Sequence, residues 1–195
     1  WGLYFLERKQ LLLSGILLGL SVATKQTAWF MAPFYLVFLL QHFSKRKLFS
    51  FLMSYIGTLT LFYLPFALWN FPALVSNLIL YSNSHPLGTS LIHPIEGYGF
   101  ASLLYSLGII HSIYAQYPFW IYQLVLGTLF LLFFLWIQIK KRMNLTYILY
   151  CSTALTTVIW FFNRYFLVSH IGYVILMLSA SYVWSLKTGR NIKKQ

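Results

Sequence analysis

The chain has 195 residues, of which 59% are hydrophobic and 8% are charged, and its mean hydropathy is +0.72. A water-soluble domain of this size cannot hide so much apolar side chain behind so few charges, so a soluble globular protein is excluded. The net charge of +12 would suit a nucleic-acid-binding protein. However, the basic residues stand in short clusters between apolar runs, as membrane orientation signals do, so no nucleic-acid partner is expected.

The apolar runs are long and continuous and lack the alternation of outer-membrane barrel strands, which predicts an all-α integral membrane protein. About six transmembrane helices, arranged as hairpins in one membrane domain, are expected over residues 10–24, 27–41, 48–69, 119–139, 145–162 and 166–186. The chain begins at Trp1 and no signal peptide opens it. We therefore expect it to be a fragment whose partner is the missing N-terminal part of the same protein.

Lys25 and Gln26 interrupt the apolar sequence between the first two predicted spans. A charged side chain at the centre of a bilayer costs roughly 2.5–3.5 kcal/mol on insertion scales, so a hairpin with its turn at these residues is favoured. Lys25, together with Gln26 and Thr27, could then bind a phosphate or pyrophosphate. The alternative is a lysine that reaches for a lipid headgroup.

Residues 70–118 differ in character from the spans and are expected to form one long extracytoplasmic loop. Its apolar pieces, residues 73–81 and 100–110, are too short to cross a membrane and predict short interfacial helices in an outer loop. Glu96 in this loop is a weak candidate for a general base, against the alternative of a solvated loop residue. His85 and His93 could help bind a sugar or a metal, although loop histidines usually do neither.

Arg164 lies at the apex of the last predicted hairpin, beside Tyr165 and near His170. Its planar guanidinium suits phosphate oxygens, and the alternative is an arginine that anchors the chain in an aromatic belt.

The basic residues indicate the orientation of the predicted spans. Twelve of the fourteen fall on one side, which the positive-inside rule makes the cytoplasm, together with the C-terminus. Lys25 and Arg164 fall on the other side, with the outer loop. The chemistry is therefore expected on the extracytoplasmic face.

Three stretches carry a family resemblance: GILLGLSVATKQTAWFMAPFYLVF (residues 15–38), LPFALWNFPAL (64–74) and NRYFLVSHIGYVILM (163–177). They resemble the GT-C membrane glycosyltransferases, and most of all the bacterial polyprenyl-phosphate-dependent, mannosyltransferase-like branch. The resemblance covers most of the chain, and ATKQT is its most distinctive piece.

The resemblance implies a plasma-membrane enzyme that takes a sugar from a polyprenyl-phosphate donor on the extracytoplasmic face, often with a divalent metal such as Mg²⁺ or Mn²⁺. Lys25, Gln26 and Arg164 would hold the donor phosphate, and the loop residues His85, His93, Tyr165 and His170 would line the substrate site.

One departure from the family concerns the catalytic acidic residue, which acts as the base. GT-C enzymes carry it in the first extracytoplasmic loop near the N-terminus, whereas this chain has no such loop and no aspartate. The base is therefore expected in the missing part, unless Glu96 replaces it. Two alternatives stay open: a component of a lipid-linked-saccharide transporter or flippase, and a non-catalytic membrane subunit.

Overall fold

The computed structural model describes residues 1–75, Leu78, 94–141 and 144–192, and the chain is all-α except for one short strand pair. The helices are α1 (Gly2–Glu7), α2 (Leu11–Thr24), a 3₁₀-helix (Gln26–Met31), α3 (Ala32–His42), α4 (Lys45–Val75), α5 (Phe100–Ser106), α6 (Phe119–Lys140), α7 (Leu145–Phe161) and α8 (Val168–Ile192). The strands β1 (Glu96–Gly97) and β2 (Tyr165–Phe166) pair in parallel.

Three helices are long and apolar enough to cross a membrane: α4, α6 and residues Val168–Leu186 of α8. The most apolar part of each is only 11%, 6% and 6% buried within the protein, so these helices present their apolar side chains outward. Apolar helices of this length and exposure indicate an integral membrane protein. The apolar helices α2 and α7 are shorter, and six crossings stay a prediction.

Helices α2 and α4 run parallel and pack closely at two glycines. A Cβ on Gly15 would lie 2.6 Å from the carbonyl oxygen of Phe51, and one on Gly19 would lie 2.8 Å from the Cβ of Thr58. Further along, the Tyr63 hydroxyl donates a hydrogen bond to the carbonyl of Val22 at 3.1 Å. The pair follows the GxxxG pattern, in which small residues let two membrane helices approach.

Helix α7 lies at the centre of the bundle and is the helix with the most buried side chains. It contacts α3, α6, α8 and the 3₁₀-helix. Its start is capped by Asn144, whose Oδ1 accepts a hydrogen bond from the amide of Tyr147 at 3.1 Å. Helix α7 therefore connects the two ends of the bundle through its interior.

Several details differ from the sequence-based expectation. Pro33 lies in the first turn of α3, where its missing N–H breaks no helical hydrogen bond, and not inside a helix that begins at residue 27. The basic residues 45–47 form the first turn of α4 and not a loop. The predicted end of this span at residue 69, by contrast, agrees with the structure, because Asn70 is non-helical, with φ −154° and ψ 86°, and kinks α4. The Asn70 side chain accepts a hydrogen bond from the amide of Ala73, as a helix N-cap does, and a short helical segment continues to Val75.

The outer-loop prediction is only partly open to comparison. Helix α5 has seven residues and is roughly 10 Å long, too short to span a bilayer. Most of the other short piece, residues 76–81, and the loop residues up to 93 lie outside the described residues, apart from Leu78.

The helices place the charged and polar groups at two ends of the bundle. One end, called the Lys25 end below, contains Lys25, Glu96, Arg164 and His170. The opposite end, called the Lys9 end, contains Lys9, His42, Lys45, Lys140 and Asn144. Which end faces the cytoplasm stays a prediction from the positive-inside rule.

We expect Gly15→Ala to weaken the packing of α2 on α4, because the added methyl meets the backbone of Phe51. Overpacking of this kind costs about 1–3 kcal/mol, so the thermal unfolding midpoint in detergent should fall. The matched control is Gly57→Ala within α4, where nothing lies within 4 Å of the added Cβ. Equal midpoints for the two variants would contradict the close contact.

Candidate functional site

Lys25 lies where α2 gives way to the 3₁₀-helix. Its backbone is extended, with φ −149° and ψ 120°, which ends α2 and turns the chain. Its ammonium Nζ lies 5.8 Å from the ring centroid of Trp160 and 5.7 Å from that of Tyr173. Distances within about 6 Å permit a cation–π attraction. The lysine is exposed to solvent, so a charged group at the Lys25 end is both held by aromatic rings and accessible.

Trp160 and Tyr173 form an aromatic wall with His170. The Trp160 ring centroid lies 4.5 Å from that of His170 and 5.2 Å from that of Tyr173. The Nδ1 atom of His170 accepts a hydrogen bond from the amide of Leu167 at 2.9 Å, which orients the imidazole at the start of α8. Since Nδ1 accepts, the neutral ring carries its proton on Nε2. Trp160 is buried, so this wall is rigidly packed.

Arg164 is buried, with 3% of its surface exposed. Its Nη1 donates to the carbonyl of Ala115 and its Nη2 to the carbonyl of Ile113, both at 2.7 Å. Burial lowers the pKa of the guanidinium, but arginine stays protonated at neutral pH. The fork predicted to face a phosphate is therefore directed, through these two donors, at the backbone of the segment that precedes α6.

The strand pair places Glu96 beside Tyr165, the residue that follows Arg164. The backbone of Glu96 pairs with that of Tyr165, and the amide of Tyr98 donates to the carbonyl of Phe166 at 2.9 Å. Gly97 between them has φ +91°, a conformation that favours glycine. The Glu96 side chain is exposed. Glu96 and Arg164 thus belong to one end of the bundle, although they are far apart in sequence.

The other predicted residues have different outcomes. Tyr165 is half-buried, and its ring centroid lies 6.0 Å from that of His170. Gln26 begins the 3₁₀-helix, but its side chain lies outside what the structure describes, and so do His85 and His93. The described residues therefore bring together Lys25, His170 and Tyr165, and link Glu96 to Arg164.

Neither Trp160 nor Tyr173 is among the site residues predicted from the sequence. Tyr173 was detectable from spacing, since it follows His170 by three residues within α8, whereas Arg164 lies beyond the end of α7 and gives no such signal for Trp160.

An apolar cavity of about 540 Å³ opens between α2 and α4 near the Lys25 end. Its lining is mainly aromatic and aliphatic: Ala23, Phe62, Tyr63, Phe66, Trp69, Asn70, Ala73, Leu74 and Leu78. Ala23 is two residues from Lys25, so their Cα atoms are at most about 7 Å apart. The kink at Asn70 bends the wall of the cavity.

The divalent metal that the family resemblance implies finds no ligand set in the described part of the chain, where no three His, Cys, Asp or Glu side chains gather. Comparison of the chain with family models, curated proteins and solved structures gives no match.

We expect Arg164→Lys to loosen residues 113–115, because one ammonium cannot replace a planar fork that reaches two carbonyls. Hydrogen bonds to charged groups are worth about 1.5–3 kcal/mol, so amide hydrogen exchange in this segment should accelerate roughly tenfold or more. Arg46→Lys, at an exposed position in the first turn of α4, is the control. Unchanged exchange in Arg164→Lys would show that the two hydrogen bonds do not hold the segment.

Proposed function

We propose that this chain is the membrane part of a glycosyltransferase that uses a lipid-phosphate-linked sugar donor, and that it binds the donor phosphate at Lys25. The observation that carries the proposal is the exposed ammonium of Lys25 held against the rings of Trp160 and Tyr173. Ring faces attract the cation without accepting all of its three N–H donors, so donors are left for phosphate oxygens.

The surroundings of Lys25 suit a donor that is part lipid and part phosphate. The cavity between α2 and α4 begins two residues away, and its walls are apolar and aromatic. An isoprenoid chain could lie in such a cavity while its phosphate meets the ammonium, because apolar surface is buried at one end and charge is paired at the other. Polyprenyl phosphate is therefore the substrate class that we assign to this site.

Lys25 would act on the leaving group. When the bond between the sugar anomeric carbon and the phosphate oxygen breaks, negative charge grows on that oxygen, and an ammonium at this point lowers the barrier. Arg164 would act as a positioning residue, since its guanidinium holds the backbone at residues 113 and 115. The acceptor hydroxyl also needs a base, for which Glu96 is the candidate in this chain, unless a preceding segment provides it.

The second candidate is a component of a lipid-linked-saccharide transporter or flippase. In the described part of the chain, the groups that contact the Lys25 ammonium are two aromatic rings, which suit a substrate clamp and supply no base. Both candidates need Lys25 for binding. They separate in a transfer assay on the full-length protein, since only the enzyme converts the donor to free polyprenyl phosphate.

We expect Lys25→Gln to weaken binding of polyprenyl phosphate to the purified chain by about 10- to 100-fold, the value of a charge-assisted hydrogen bond of 1.5–3 kcal/mol. The matched control is Lys140→Gln, because Lys140 also lies over a tryptophan, with its Nζ 4.3 Å from the Trp136 ring centroid, but at the Lys9 end. Binding can be measured by native mass spectrometry in detergent.

Polyprenol without a phosphate is the second control, and its retention should not depend on Lys25. If Lys25→Gln retains polyprenyl phosphate as well as Lys140→Gln does, Lys25 is not the phosphate ligand and the proposal fails.

A further inference from the structure

A second cavity, of about 410 Å³, lies at the Lys9 end of the bundle. Its walls combine apolar and polar side chains from four separate parts of the chain: Leu6, Glu7, Lys9, Phe38, His42, Phe43, Asn144, Leu145 and Trp184. It lies at the opposite end of α7 from Lys25, so the proposed donor site does not account for it.

The polar groups of this cavity include a cation and the N-terminus of a helix. Lys9 is an exposed ammonium, and Asn144 and Leu145 mark the start of α7, whose 17-residue dipole is positive at that end. The ring of His42 stacks on Phe38 with centroids 4.2 Å apart, and its Nδ1 donates to the Phe38 carbonyl at 2.9 Å, so the imidazole is a fixed wall. Glu7 contributes a carboxylate that balances the charge of Lys9, so the excess positive charge at this end comes from basic residues outside the lining.

Basic residues outside the lining raise the electrostatic potential at the cavity. Lys45 follows His42 by three residues, and Lys141 precedes Asn144 by three, so each Cα lies at most about 11 Å from that of the lining residue. This distance is close to the Debye length of about 8–10 Å at physiological ionic strength. The cavity mouth therefore lies within a region of concentrated positive charge.

The backbone of Lys9 forms a turn that favours glycine. Its φ is +59°, in the left-handed region that favours glycine, and its amide closes the end of α1 by donating to the carbonyl of Leu6 at 2.9 Å. A glycine would make this turn without strain. Glycine can therefore replace Lys9 without disturbing the turn, which makes Lys9→Gly a suitable test variant.

From these observations we infer that the cavity at the Lys9 end binds the headgroup of an anionic phospholipid from the adjacent membrane leaflet. The phosphate meets Lys9 and the start of α7, while the first acyl carbons lie against the apolar residues of the lining, such as Leu6, Phe43 and Leu145. Basic pockets between membrane helices bind anionic headgroups in this way. The site is independent of Lys25 and of the proposed donor.

The test compares two variants, Lys9→Gly and Lys45→Gln. In Lys9→Gly, stability and lipid binding should change in opposite directions. Lys9→Gly should unfold at the same temperature as the wild type, or at a higher one, in lipid-free detergent, because it relieves the strained turn. Its retention of phosphatidylglycerol in native mass spectrometry should fall about fivefold, the factor that one surface cation contributes at an anionic interface. Lys45→Gln removes one charge from the same end but not from the lining, and should lose less.

Two arms distinguish the ligand. Phosphatidylcholine and inorganic phosphate at the same concentration should not raise the unfolding midpoint of the wild type as phosphatidylglycerol does. If inorganic phosphate alone reproduces the rise, the site takes a soluble anion and the inference is overturned. It is also overturned if Lys9→Gly retains phosphatidylglycerol fully, or if Lys45→Gln loses as much as Lys9→Gly.

A measurement on the unmodified chain keeps the inference testable if a variant fails to fold. A photoreactive phosphatidylglycerol should cross-link mainly to peptides that contain residues 6–9, 38–43, 144–145 and 184. Cross-links spread evenly around α4, α6 and α8 would mean that the lipid only coats the apolar surface, and would refute a built site.

Discussion

The fold depends on one requirement: polar groups inside an apolar bundle must find partners within the protein. Helix α7 meets it for three hydroxyls with its own backbone, whereas the buried Oγ1 of Thr146 in its first turn has no hydrogen-bond partner among the described residues. The buried hydroxyls of Ser152, Thr153 and Thr156 donate to the carbonyls four residues earlier at 2.6–2.7 Å. Since an unsatisfied polar group in hydrocarbon costs several kcal/mol, these hydrogen bonds let a hydroxyl-rich helix pass through the centre of the protein. The same helix then delivers Trp160, and the turn after it delivers Arg164, to the Lys25 end.

This requirement separates the two cations of the Lys25 end. Arg164 is buried and directs two N–H groups at the backbone carbonyls of Ile113 and Ala115, so it holds the segment that precedes α6. Lys25 is exposed and lies against ring faces, which attract its charge and leave donors for a ligand. Two lone cations that look equivalent in the sequence thus have different surroundings, and the proposed phosphate site is at the exposed one.

The sequence predicts the all-α class and the helices well, because the length of an apolar run and its polar interruptions carry that information. It does not predict that the chain after Lys25 forms a 3₁₀-helix, or that Asn70 kinks α4, since both depend on local hydrogen bonding and packing. The partners of Arg164 lie about fifty residues earlier in the chain, at Ile113 and Ala115, and only tertiary structure brings them together. Of the aromatic wall behind Lys25, Tyr173 was readable from its spacing to His170, but its contact with the lysine was not.

The proposed donor site requires that the Lys25 end and the Lys9 end lie on opposite sides of the membrane, with the Lys25 end outside. Single cysteines test this most directly, because the one native cysteine, Cys151, is buried and can be replaced by alanine. Tyr98→Cys reports on the Lys25 end and Ser44→Cys on the Lys9 end, both at exposed positions. A membrane-impermeant thiol reagent should label Tyr98→Cys in intact cells and Ser44→Cys only after permeabilisation. Labelling of both variants, or of Ser44→Cys alone, in intact cells would contradict this arrangement of the two ends across the membrane.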